Sequence, residues 1–313
     1  MSTSDIPIID LATTPDLPAA FARAYGEVGF GYIIGHGIDP ALRAQVFDMN
    51  RRFHDQPLET KMQVELDGHH RGYIPINTST DVNSQLAEVT KPNQSESFMM
   101  MREDAAHDPA HFLSGPNQWP DLPGFRETLE AYHTALLRLG HSLIQIALAA
   151  TGATPQAQAE TLQAFDTPTT WLRLLHYPPS PPASAEDLYG SAPHTDFGAL
   201  TILAQDDVGG LQVQTETGDW IDAPPIPDAF VVNVGDMLHR MSNGRLKSTP
   251  HRVINRSGHE RYSVPFFYDP HVSTTVTPLP GTGTPNYDPL NFDNFLRAEL
   301  GAAYDHHKSP PKG

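Results

Sequence analysis

The chain contains no cysteine, and that absence removes several chemistries at once. Disulfides, thiolate nucleophiles and cysteine-ligated zinc or iron–sulfur clusters are all excluded. A reducing compartment is permitted, and a cytoplasmic location is the expectation. Positive charge is also scarce: 20 Lys+Arg stand against 37 Asp+Glu, a formal net charge of -17. Binding phosphate requires a basic footprint, so nucleic acid is not an expected partner, and neither is an anionic membrane surface. An acidic ligand would need a local basic site to overcome this global field. No apolar run approaches the ~18 residues of a membrane span. Residues 1–7 lack a basic segment leading into an apolar stretch, so no secretory signal is expected. There is no Gly-x-Ser-x-Gly elbow, which argues against a Ser–His–Asp hydrolase. At 313 residues the chain is long enough to bury a sizeable core, and a monomer acting on a small molecule is the default expectation.

What is present divides the chain by texture. Ile6–Ile9 and Phe30–Ile34 read as short strands, with Pro7 placing the first at an edge or strand start. Helical spacing covers Leu17–Val28 and Pro40–Phe53, the latter with Asp39 as N-cap. A long helix is expected over Leu122–Ala150, where Leu129, Leu136, Leu139, Leu143 and Ile146 recur at threes and fours, with Gly152 ending it. Between these, Gly68–Arg102 is polar and rich in Asn, Ser and Thr, and reads as a long loop that could cover a site.

From Trp171 onward, short β-rich segments follow one another: Trp171–Tyr177, Ala199–Gln205, Leu211–Gln214, Trp220–Ala223, Phe230–Val234, His251–Asn255 and Tyr262–Tyr268. Turn signals such as Asp207-Val208-Gly209-Gly210 and Ser242-Asn243-Gly244 separate them. Many short strands at close spacing predict a sandwich or barrel, with a double-sheet jelly roll as one solution. A last helix is expected over Asn291–Tyr304. The expected fold is mainly β, a jelly-roll core flanked by α-helices, in a single domain over residues 1–313. Residues 1–165 form its mostly helical part, 166–285 the jelly roll, and 286–313 the C-terminal helix and tail.

The chemistry-bearing residues are His194-Thr195-Asp196 and, on a later predicted strand, His251. Two imidazoles and one carboxylate hold a non-haem Fe(II) on one face and leave the opposite face open; zinc could bind the same set. Arg261 and Ser263 follow on the last predicted strand. Residues i and i+2 of a strand share a face, so both would point inward. A buried arginine needs a partner, and its planar fork matches a carboxylate, with the serine hydroxyl adding a third hydrogen bond. Phe267 has the same parity and is either a substrate-facing wall or a plain core phenylalanine. Tyr73, Phe98 and Met100 are further candidate pocket walls.

These residues carry a resemblance that spans nearly the whole chain. Ile6-Pro7-Ile8-Ile9-Asp10-Leu11, Gly29-Phe30-Gly31-Tyr32, Gly35-His36-Gly37, Tyr177-Pro178-Pro179, His194-Thr195-Asp196-Phe197-Gly198, Gly209-Gly210-Leu211-Gln212-Val213, Asn233-Val234-Gly235-Asp236, His251-Arg252-Val253 and Arg261-Tyr262-Ser263 occur in family order. The chain resembles the Fe(II)/2-oxoglutarate-dependent dioxygenases of the isopenicillin N synthase-like superfamily, whose core is a double-stranded β-helix. The resemblance implies that His194, Asp196 and His251 ligate iron. It also implies that Arg261 and Ser263 grip the far carboxylate of 2-oxoglutarate, with Tyr177 as a third contact. Where plant members often carry asparagine, this chain has Leu175, so that position is not expected to touch the cosubstrate. The implied reaction couples decarboxylation of 2-oxoglutarate to succinate and CO2, consuming O2, with hydroxylation, desaturation or cyclisation of a small organic substrate.

Two alternatives share the motif. One is a 2-oxoglutarate-independent oxidase of the isopenicillin N synthase type; that enzyme uses a glutamine near its C-terminus, and residues 306–313 contain none. The other is a non-catalytic metal-binding jelly-roll protein.

Overall fold

A computed structural model describes residues 6–79, 86, 91–104, 106–108, 111–179 and 188–303. Strand β1 (Ile8–Asp10) leads into helix α1 (Leu17–Glu27), and β2 (Phe30–Ile34) leads into α2 (Pro40–His54). Asp16 and Asp39 cap the two helices by accepting backbone N–H groups of Ala19 and Ala41, with a proline in each first turn. The short helix α3 (Leu58–Lys61) precedes β3 (Gly72–Ile74) and β4 (Glu96–Met101). The long helix α4 (Phe125–Ala150) starts three residues later than its periodicity predicts, because Gly124 takes a left-handed conformation (φ 82°) and breaks the helical path. Helix α5 (Pro155–Leu162) connects it to β5 (Thr169–Tyr177).

The β-rich region then supplies β6 (Ser191–His194), β7 (Leu200–Gln205), β8 (Leu211–Gln214), β9 (Trp220–Asp222) and β10 (Phe230–Val234). After α6 (Asp236–Met241) come β11 (His251–Val253), β12 (Arg261–Asp269), β13 (Thr275–Val276), β14 (Leu290–Asn291) and α7 (Phe292–Ala303). The strands form an eight-stranded sheet in the order β1-β2-β10-β7-β12-β5-β4-β3 and a four-stranded sheet in the order β6-β11-β8-β9. This is the expected jelly-roll core with flanking helices. Among the described residues, no helix is long and apolar enough to cross a membrane.

The two faces of the large sheet have different tasks. Val264, Phe266 and Tyr268 of β12 join the main core, together with Leu129, Leu136 and Leu143 of α4. Between the sheets lies a second apolar cluster that includes Tyr32, Leu175, Tyr177, Leu211, Val213 and Val231. Period-2 alternation along β5 and β12 separates the two clusters.

The N-terminal part carries helices α1 to α5 and also contributes four of the eight strands of the large sheet, with β2 paired to β10 and β4 to β5. One expectation needs correction. The loop expected over Gly68–Arg102 contains β3 and β4, and every residue of β4 is buried. A strand covered on both faces shows no alternation, so its sequence gives no period to read. Residues 80–85 and 87–90 of that loop, Tyr304 of the last helix and the 306–313 tail lie outside the described residues.

Candidate metal centre and active site

Antiparallel pairing of β6 with β11 sets His194 directly opposite His251, their ring centroids 4.3 Å apart. The turn after β6 brings Asp196 to the same point. Its Oδ1 lies 3.7 Å from His194 Nε2 and 3.6 Å from His251 Nε2. These distances are too long for direct hydrogen bonds, and the three ligand atoms lie within 4.8 Å of one another. His194 Nδ1 donates to the Ala192 carbonyl (2.7 Å) and His251 Nδ1 to the Thr249 carbonyl (3.2 Å). A carbonyl can only accept, so each Nδ1 carries a proton and each Nε2 is turned toward the carboxylate, as metal-binding histidines require.

The second oxygen of Asp196 is already engaged. Oδ2 accepts hydrogen bonds from Asn233 Nδ2 (2.7 Å) and from the Thr201 hydroxyl. Burial pushes this carboxyl's pKa up, but the two imidazoles and these donors outweigh it and hold the group below its ordinary value. Asp196 is therefore held ionised, with Oδ1 facing the histidines.

Arg261 is fully buried. It stands opposite Tyr177 in the β12–β5 pairing, with its guanidinium 4.6 Å from the tyrosine ring centroid. Its Nε donates to the Gly209 carbonyl and its Nη2 to Gln205 Oε1 (3.0 Å), while the buried Nη1 has no hydrogen-bond partner among the described residues. Beside it, Gly210 lets the chain pass close to the Ile254 backbone: a Cβ there would lie 2.6 Å from the Ile254 carbonyl oxygen, and φ is +93°. Ser263 lies on the same face of β12, opposite Leu175 and Gln205, and is buried. Leu175 itself packs in the apolar cluster between the sheets.

A cavity opens beside His194 and Asp196. Its walls include Trp171, Phe197, Phe267 and Met99, and Leu296 and Leu300 of α7 close one side. Phe267 is where its parity placed it. The other three candidate walls are not. Tyr73 donates its hydroxyl to Glu96, and Phe98 packs among Phe53, Trp119 and Phe125. Met100 belongs to the main core. The reason is β4's parity, which turns Met99 toward the cavity and Phe98 and Met100 away from it. Sequence reasoning also missed Trp171, Gln205, Asn233 and Asp269. Trp171 was within reach, because it shares parity with Tyr177 on β5. Asp269 is the buried carboxyl at the end of β12, and burial, with Asp196's charge adding, pushes its pKa up to about 7.

Two family models match the chain. Residues 168–270 match the 2OG-Fe(II) oxygenase superfamily, and residues 6–122 match the N-terminal region of non-haem dioxygenases in morphine synthesis. The chain belongs to the 2-oxoglutarate/Fe(II)-dependent oxygenases. It is 38% identical to the 2-oxoglutarate-Fe(II) type oxidoreductase hxnY of Emericella nidulans, over 88% of this chain and 81% of that protein. It is 40% identical to the 2-oxoglutarate-dependent dioxygenase citB of Monascus ruber, over 84% and 80%. A full-length Neurospora crassa protein, crystallised in complex with alpha-KG and thymine, superposes with a TM-score of 0.81 at 30% identity. That match covers 95% of this oxygenase and 96% of the Neurospora chain. JOX2 in complex with 2OG, Fe and JA gives 0.77 at 28% identity, covering 97% and 89%. This oxygenase uses Fe(II), 2-oxoglutarate and O2 to oxidise a small organic substrate. The relatives lend no support to a 2-oxoglutarate-independent oxidase or to a non-catalytic metal-binding protein.

Proposed function

We propose that His194, Asp196 and His251 are the ligands that hold Fe(II). We also propose that Arg261 binds the far carboxylate of 2-oxoglutarate, with Ser263 and Tyr177 completing its pocket. The donor set suits Fe(II), because two neutral imidazoles and one monodentate carboxylate occupy a single face. The metal, when bound, supplies the redox chemistry that couples decarboxylation to C–H oxidation. The protein's part is positional. Asn233 and Thr201 occupy Asp196 Oδ2 and leave only Oδ1 for the ion. The Ala192 and Thr249 carbonyls fix both imidazole tautomers.

The observation that carries the cosubstrate assignment is Arg261 Nη1. A guanidinium nitrogen that is buried and unpartnered is costly, and a carboxylate is the group that satisfies it with two parallel bonds. Replacing Arg261 with Ala should raise the KM for 2-oxoglutarate about 10- to 100-fold, matching the ~1.5–3 kcal/mol of a charged hydrogen bond. Unchanged 2-oxoglutarate kinetics would remove the assignment.

The substrate best suited to the cavity is a flat, unsaturated ring. Trp171, Phe197 and Phe267 offer ring faces and edges to stack against, and the Neurospora crassa neighbour at TM-score 0.81 binds thymine. The formal charge of -17 favours a free small molecule over nucleic acid. Screening ring compounds against saturated ones of equal size for stimulated succinate release tests this. A preference for the saturated set would overturn it.

A further inference from the structure

The metal and the cosubstrate leave one buried carboxyl beside the cavity unused. Asp269, the last residue of β12, is 3% exposed and contacts two separate structures. Its Oδ1 accepts the backbone N–H of Ala199 (2.8 Å), three residues beyond Asp196 on the metal-bearing turn. Its Oδ2 accepts the indole N–H of Trp171 (3.2 Å), which lines the cavity. Between them, Gly198 leaves space for the carboxyl: a Cβ on Gly198 would lie 1.6 Å from Asp269 Oδ1. The turn is also gripped from its other side, where Asp236 and Met237 donate backbone N–H groups to the Asp196 and Gly198 carbonyls (2.8 Å each). Trp171 is braced as well, by the His70 ring standing edge-on at 5.1 Å.

We propose that Asp269 is a positioning residue that fixes the separation between the Trp171 wall of the substrate cavity and the metal-bearing turn Asp196–Ala199. Both of its oxygens are used as acceptors, one toward each structure. Asparagine cannot replace it, because the two N–H groups address different terminal atoms and the amide nitrogen would point a donor at one of them. Contact between a substrate and Trp171 is thereby transmitted to the turn that carries Asp196. The inference rests on the triad holding the metal, but part of its test does not.

In a W119F/W220F background, Trp171 is the only indole left. There, D269N is expected to shift Trp171 emission to the red and to raise its quenching by acrylamide. G198A displaces the carboxyl by a different route and is expected to do the same. In the otherwise unmodified protein loaded with Co(II), W171F is expected to shift the visible bands of the metal. That shift should vanish when W171F is made in the D269N protein. Trp171 emission and quenching unchanged in both D269N and G198A would overturn the proposal. So would a W171F band shift that is absent, or that persists undiminished in D269N. Should D269N fail to fold, G198A and W171F still decide the matter, since W171F removes only the indole end and keeps the bond to Ala199. Failure of the parent protein to bind Co(II) would refute the metal assignment instead, and the emission measurements would still judge the strut.

Discussion

Two buried carboxylates, Asp196 and Glu96, each sit beside histidines, yet they are built for opposite purposes. Glu96 is internally neutralised. Lys61 Nζ donates to it at 2.7 Å, His176 Nδ1 lies 2.8 Å away, and the Tyr73 hydroxyl donates to it as well. His176 reaches a second carboxylate, Glu260, through Nε2 (2.5 Å). Around Asp196 the donors are neutral side chains on one oxygen, and both imidazoles turn their Nδ1 protons away toward carbonyls. Among the described residues, no lysine or arginine forms an ion pair with Asp196. The comparison teaches that a buried anion with a matched ammonium is a structural knot, whereas one faced by imidazole nitrogens at 3.6–3.7 Å is arranged so that a cation from outside can complete it.

The largest effect that would break this contrast is loss of the metal. Asp196→Ala should abolish Fe(II) binding and turnover, read by metal content after desalting and by succinate release. Retention of stoichiometric iron would sink the reading. Glu96→Gln should do the reverse, leaving Fe(II) content intact while costing about 3–5 kcal/mol in urea unfolding, the range for stranding one partner of a buried pair. A cost below ~1 kcal/mol would show that Lys61 and His176 do not depend on Glu96.

A smaller effect sharpens the comparison. Asn233→Ala frees Asp196 Oδ2 and should weaken metal affinity by about 10- to 100-fold, the usual scale for a residue that orients a ligand. Titration with a competing chelator measures it, and unaltered affinity would mean Oδ2 needs no fixing. The smallest effect is acid lability. Burial raises the Glu96 pKa, but His176, His54, Lys61 and Tyr73 outweigh it and bring the group down to about 2 from 4.5. A depressed carboxyl contributes its stability above its unfolded pKa and loses it as pH falls through the folded one. The parent protein should therefore lose unfolding free energy between pH 4.5 and about 2 more steeply than Glu96→Gln. Parallel curves would contradict this. His176 adds the opposite window: burial lowers its pKa, but Glu96 and Glu260 outweigh that and raise it, so its contribution fades as pH climbs past the raised value.

Much of the site was legible because the strand period is rigid. Period 2 along β12 places Arg261, Ser263 and Phe267 on one side, and the β-rich pattern places the His194–Asp196 pair between predicted strands and His251 on a later one, which a jelly roll brings together. The pocket walls on β4 were not legible. Its six buried residues carry no alternation, so Met99 could not be told from Met100 before the pairing with β5 was known. Glu96 and Lys61 were equally hidden, since their ion pair joins a short helix to a strand far along the chain. Asp269 belongs to the same class: its role depends on Ala199 and Trp171, both distant in sequence, and on the missing side chain of Gly198.

The inward row of β12 runs from Arg261 through Ser263 to Phe267 and ends at Asp269. A single inserted residue inside this strand would turn the row over and send its downstream members among the aliphatic side chains of α4. Natural variants of this oxygenase should therefore tolerate length changes at the tips of β12 and essentially none within it. Laboratory evolution of a new specificity would do better to exchange side chains along the row than to alter its length.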